Sequence, residues 1–232
     1  MNGHTSQNVR KMMRIINQSN PWDHLIVEDL LSADRFAEIK KLGMIEYDNY
    51  LKNGHNSIYT DHKNDIGYTC RAKYTKFYSE DIIPETNQFF KMLPEHRGFK
   101  GELKKLIHIT INPPNFNYPL HIDNISRINT CIFYIYPDES IGTILANNPS
   151  RNDDGDHSAA NKKSHWEQEV PWKPNTLFVH NSIPNKTWHK YIGDKKNYRM
   201  TLCCFLVQPD LVKHGKGRIP TTYVDIDPKF YR

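Results

Sequence analysis

From residue 103 onward the sequence breaks into short runs of β-branched and aromatic residues, and no other feature leaves the chain fewer ways to fold. The runs cover 106–111, 129–136, 143–146, 175–179, 188–192 and 198–207, with Asn, Pro, Gly and Asp clustered between them. Branched and aromatic side chains pack well on a pleated surface, so short runs separated by turn signals predict an all-β sandwich or barrel. The expected fold class is mainly β, a double-stranded β-helix: a jelly-roll, cupin-like core. Upstream, 21–27 reads as a short strand. Ser32 then caps a helix whose apolar positions Phe36, Ile39 and Leu42 recur at helical spacing before Gly43. A second helix is expected from Pro84 through Phe89, Phe90 and Met92. The core is thus expected to carry supporting N-terminal α-helices.

At 232 residues the chain suits one large domain. The expected division is a flexible arm over 1–20, then a single domain over 21–232. Within it, 21–102 is helical support, 103–210 is jelly-roll core and 211–232 is a C-terminal extension. The polar, aperiodic segments 48–66 and 147–168 are expected to be long loops, the second inserted between strands. No run of about 18 apolar residues exists, so no membrane span is expected. The N-terminus carries Arg10, Lys11 and Arg14 without the apolar stretch of a secretion signal. Cys70, Cys131, Cys203 and Cys204 form no C-x-x-C pair, so reduced, packed thiols in a cytoplasmic protein are expected. A net charge of +5 is mildly basic, and nucleic acid is not an expected partner. The basic stretch 213–218 reads as a solvated charge run.

The chemistry concentrates at Tyr118-Pro119-Leu120-His121-Ile122-Asp123. Residues i and i+2 of a strand point to one side, so His121 and Asp123 would share a face. Two histidines and a carboxylate on one face of an octahedron leave three positions open, the arrangement of non-haem Fe(II) oxygenases. Far downstream stand Trp188-His189 and Tyr198-Arg199-Met200-Thr201. In the last run Arg199, Thr201, Cys203 and Phe205 would share one face and Met200, Leu202 and Cys204 the other. A buried Arg199 calls for an anion, and the distal carboxylate of a dicarboxylate would meet its planar fork and the Thr201 hydroxyl.

The pattern Tyr-x-x-His-x-Asp at 118–123, followed by 127–134, 141–145, 174–179, Trp188-His189 and Arg199-Met200-Thr201, resembles the Fe(II)/2-oxoglutarate-dependent oxygenases, in particular their prolyl-4-hydroxylase-like branch. The ordered match spans 106–207. The resemblance implies that His121, Asp123 and His189 ligate Fe(2+), that Arg199 binds 2-oxoglutarate with help from Thr201, and that Tyr118 lines the co-substrate pocket. With O2 as the other co-substrate, the implied reaction hydroxylates a C–H bond and releases succinate and CO2. The chain departs from the branch at Asn112, where prolyl hydroxylases often carry tyrosine, at Arg199, where several carry lysine, and at Ile141-Gly142-Thr143, where Gly-Gly-Thr is usual.

Other readings stay open at this stage. His157, His165 and above all His180 are rivals to His189, and Arg127 could meet either substrate or a neighbouring carboxylate. The substrate implied is a peptidyl side chain, prolyl first, with a small molecule or free amino acid as the alternative. A non-catalytic cupin-like binding module and a metal hydrolase are the rival classes. Oligomeric state is not legible.

Overall fold

A computed structural model of the chain describes residues 13–53, 68–70, 89, 92–94, 103–112, 114–124, 126–147, 167–208 and 223–225. Twelve strands and one helix are ordered β1(Arg14–Gln18), β2(His24–Glu28), α1(Ala33–Asn53), β3(Tyr68–Cys70), β4(Lys104–Asn112), β5(Asn117–His121), β6(Arg127–Tyr136), β7(Ile144–Ala146), β8(Glu167–Glu169), β9(Thr176–Asn181), β10(Trp188–Ile192), β11(Arg199–Val207) and β12(Tyr223–Asp225). The strands form two antiparallel sheets. The larger runs β1-β2-β9-β6-β11-β4-β12, with β3 also on β4, and the smaller runs β5-β10-β7-β8. This is the jelly-roll architecture expected from the spacing of apolar runs.

The register divides the large sheet into two apolar faces. Leu25, Val27, Ile107, Ile109, Phe133, Leu177, Val179, Leu202 and Cys204 pack outward beneath Ile39 of α1, joined by Phe36, whose ring meets Phe133 edge-on at 5.9 Å. Each such buried aliphatic side chain contributes roughly 1.5–3 kcal/mol. The opposite face looks into the space between the sheets, where Ile26, Tyr134 and Phe178 meet Trp22, Leu145 and Val170. Every residue of β9 and β11 is buried, because these strands are covered on both sides. Cys203 and Cys204 lie in different clusters, on opposite faces as the alternation requires.

Several expectations need correction. Ser32 does cap α1, its Oγ accepting the Arg35 N–H at 3.4 Å and its carbonyl the Phe36 N–H at 2.9 Å. The helix does not stop at Gly43 but runs on to Asn53, absorbing the first residues of the loop expected over 48–66. Gly43 serves close approach instead, since a Cβ there would lie 2.6 Å from Met200 Sδ. The arm expected over 1–20 does not include its last residues, because Arg14–Gln18 pairs with β2 as an edge strand, and 1–12 lie outside the described residues. Of the supporting helices expected, α1 is the one that the described residues trace from end to end. The second, over 84–92, falls largely outside the described residues, as do 54–66 and 148–166. Among the described residues no helix is long and apolar enough to cross a membrane.

Candidate active site

β5 ends at His121, and β10 runs beside it with His189 as the Cα partner of His121. Their rings lie 4.3 Å apart between centroids. The chain then leaves the ladder, so Asp123 sits beyond the strand rather than in it. A turn follows, in which the Arg127 N–H bonds to Asn124 O at 2.8 Å and the Asn124 side chain accepts the Ser126 N–H at 2.9 Å. That turn brings Asp123 back over β6. One potential ligand atom each from His121, Asp123 and His189 lies within 4.8 Å of the others, the one such group among the described residues.

Asp123 is buried and held from several sides. Arg127 Nη1 donates to Oδ1 at 2.5 Å, and Thr130 Oγ1 and Ser182 Oγ donate to Oδ2 at 2.6 and 3.3 Å. Burial alone would raise its pKa. The Arg127 guanidinium beside it outweighs that and holds the carboxyl well below the usual carboxylate range. Asp123 is therefore a ready anionic ligand at neutral pH. His189 Nδ1–H donates a hydrogen bond to the Thr187 carbonyl at 3.0 Å, which fixes the tautomer and leaves the Nε2 lone pair for a metal. Of the two roles open to Arg127, the neighbouring carboxylate is the one seen. Its guanidinium also lies over the Phe205 ring at 3.9 Å.

Of the rivals to His189, His157 and His165 lie outside the described residues. His180 is fully buried on β9 with Nε2 3.6 Å from Asp123 Oδ2, and its ring is 5.0 Å from that of His189. Burial and the adjacent His189 push its pKa down to about 3, so it stands neutral behind the carboxylate. His24, its Cα partner on β2, is likewise buried.

Arg199 opens β11 and is 5% exposed, facing the space between the sheets. Its Nη2 donates to Thr143 Oγ1 at 3.3 Å, and its guanidinium lies 4.0, 5.2 and 5.4 Å from the rings of Tyr191, Trp172 and Tyr134. Tyr134 and Trp172 stack on each other at 4.5 Å, and the Tyr134 hydroxyl bonds to Thr143 Oγ1 at 3.0 Å. Among the described residues no carboxylate stands within ion-pair distance of Arg199, and its Nε has no hydrogen-bond partner. A buried cation in this condition needs an anion. Tyr191 stands two residues beyond His189, a step of roughly 7 Å along a strand. The Arg199 guanidinium thus lies against a residue two positions along β10 from His189. Thr201 is buried two residues along β11, its Oγ1 3.8 Å from Cys203 Sγ. Asn112, the departure noted above, is the Cα partner of Arg199.

No family profile matches the chain, and no curated protein matches its sequence. Solved structures do match. A prolyl hydroxylase from Trichoplax adhaerens, in complex with a peptide fragment of the hypoxia inducible factor oxygen degradation domain, superposes with a TM-score of 0.57 at 13% identity, over 84% of this chain and 87% of that one. The fold is that of the non-haem 2-oxoglutarate-dependent oxygenases. A prolyl-4-hydroxylase from Pseudomonas putida shares this oxygenase fold at a TM-score of 0.50 and 16% identity, over 80% of this chain and 92% of that one. So does the non-haem α-ketoglutarate-dependent epimerase SnoN of nogalamycin biosynthesis, at 0.56 and 13%, over 89% and 91%.

Tyr118 is 44% exposed, with its ring edge-on to that of His121 at 4.4 Å. Tyr191, and not Tyr118, is the tyrosine of this strand pair that lies over the Arg199 guanidinium. Sequence reasoning missed Tyr134, Thr143, Trp172 and Tyr191 around Arg199, and Thr130 and Ser182 around Asp123. The sequence does carry one signal for the first group: Tyr134 and Tyr191 fall in apolar runs at positions whose alternation faces them inward.

Proposed function

We propose that the chain is an Fe(2+)- and 2-oxoglutarate-dependent dioxygenase that hydroxylates a C–H bond and releases succinate and CO2. The observation that carries the reading is Arg199: a buried guanidinium with an unpartnered Nε and, among the described residues, no carboxylate beside it, lying against Tyr191 two residues along β10 from His189. The donor set suits Fe(2+), since two imidazoles and one carboxylate leave positions free for a chelating co-substrate and O2. His121, Asp123 and His189 would hold the metal, which when bound supplies the oxidative step. The chain's own residues do the rest. Arg199 and Thr143 take the distal carboxylate, with Thr201 and Asn112 beside them. Tyr134, Trp172 and Tyr191 exclude water from that pair, which strengthens it. One atom of O2 enters the product and the other succinate.

For the substrate we infer a peptidyl side chain, with proline first. Tyr118 offers an exposed aromatic face beside His121 on which a saturated ring can lie, and the Trichoplax structure with this fold holds a peptide. A small molecule or free amino acid is the alternative within the same reaction.

The deciding experiment incubates the protein with Fe(2+), 2-oxoglutarate and O2 and measures succinate, alone and with proline-containing peptides or free amino acids added. Slow succinate release that a true substrate accelerates, lost in His121→Ala, is expected. A protein that binds 2-oxoglutarate without releasing succinate would be a binding module. One that neither binds nor turns it over would refute the proposal.

A further inference from the structure

An ionised carboxylate offers about four lone-pair sites, two on each oxygen. At Asp123 the two on Oδ2 are taken by neutral hydroxyls, Thr130 at 2.6 Å and Ser182 at 3.3 Å. On Oδ1 one is taken by Arg127 at 2.5 Å. A single lone pair, on Oδ1, is left to face a metal. From this count we propose that Thr130 and Ser182 are positioning residues: a hydroxyl clasp that makes Asp123 a one-toothed ligand and so keeps a coordination position open for the co-substrate. The inference rests on the function proposed above and adds what governs the carboxylate's mode of binding.

The physical reasoning is short. A carboxylate with both oxygens free can grip a divalent ion with both. Here that would consume one of the three positions that a chelating keto acid and O2 require. The clasp is built into the sheet. Thr130 lies on β6 between its Cα partners His180 on β9 and Phe205 on β11, almost fully buried. Ser182 follows β9 directly, its N–H fixed to Ile128 O at 3.0 Å, and it too is buried. The two hydroxyls are 3.3 Å apart. Neither is placed to be satisfied by bulk water, and both converge on the same oxygen. Because both are uncharged, removing them alters no charge at the site. Their loss therefore reports on geometry.

The test compares the full-length chain with Thr130→Val, Ser182→Ala and the double variant. Each is loaded anaerobically with Co(II), a spectroscopic substitute for Fe(II), and three quantities are read: Co(II) affinity, the visible absorption spectrum and 2-oxoglutarate affinity. In the double variant Co(II) affinity should be unchanged or greater and the spectrum altered. 2-Oxoglutarate affinity should fall at least about tenfold, the usual order for an outer-shell partner of a metal ligand. A wild-type spectrum with wild-type 2-oxoglutarate affinity would overturn the inference. A parallel fall in Co(II) and 2-oxoglutarate affinity would overturn it too, because that marks a site that is merely loosened. Should the double variant not fold, Ser182→Ala alone carries the test with the same two overturning results. If the wild-type chain binds no Co(II), the proposed function itself fails and this inference with it. Failure of the clasp alone leaves wild-type metal binding intact, so the two are distinguishable.

Discussion

Arg199 shows how a single residue can be costly to the free protein and useful to the complex. A guanidinium buried among three aromatic rings gains from their faces but has no counter-charge among the described residues. Arg199→Met should therefore not lower the thermal midpoint of the ligand-free protein, while 2-oxoglutarate binding should weaken by about 2–5 kcal/mol, the usual effect of truncating one partner of a buried charge pair. Calorimetric titration beside a melting curve checks both, and a variant that loses stability without losing affinity would contradict the anion-seat reading. His121, Asp123, His189 and Arg199 were legible in the sequence because ionisable residues are rare in apolar runs and their spacing has chemical meaning. Thr130, Thr143, Ser182 and Trp172 were not, since nothing local separates a hydroxyl aimed at a carboxylate from one on an ordinary strand. For Thr143 and Ser182 the meaning comes from register between residues 56 and 59 positions apart, Arg199 with Thr143 and Asp123 with Ser182.

At the scale of elements, the strands rich in branched residues were read within about three residues at each end, and those that break composition rules were missed or read only at their end. β5 contains Pro119 and β1 is polar, so neither has the pattern of a strand, yet both are held by antiparallel partners. The segment before β7 makes a sharper case. Gly142 passes so close to β8 and its flank that a Cβ would lie 1.7 Å from Val170 O. Its N–H bonds to Glu169 Oε1 at 2.7 Å, and the next residue accepts the Val170 N–H at 2.8 Å. This contact fixes Thr143, hence the hydroxyl that meets Arg199. Gly142→Ala should push β8 away, cost roughly 1–3 kcal/mol of stability and reduce 2-oxoglutarate affinity, although the residue touches no ligand. Chemical denaturation together with ligand titration would show it; an effect on stability alone would mean that Thr143 holds its place without this contact.

For the molecule as a whole, the interior keeps imidazoles neutral. Burial lowers the pKa of His24, against the pull of the Trp22 carbonyl, and brings that of His180 to about 3. In the unfolded chain each binds a proton near pH 6.5, so below that pH the unfolded state holds more protons and stability falls as pH falls. Between pH 6.5 and 4.5 the metal-free protein should lose up to roughly 1.4 kcal/mol per pH unit through His180, with His24 acting in the same direction. Urea midpoints across that window would measure the loss, and His24→Gln should flatten the slope; an unchanged slope would rule His24 out as a source. His24 also carries a lesson about descent and dissection. It belongs to β2, about eighty residues ahead of the jelly-roll runs, yet β2 is a full member of the large sheet, hydrogen-bonded to β9, with Trp22 packed 5.1 Å from the ring of His180. The large sheet is thus completed behind Asp123 by the segment Trp22–Glu28. An excised 103–210 fragment would be a vessel with one stave missing, open to water directly behind the carboxylate it has to keep dry.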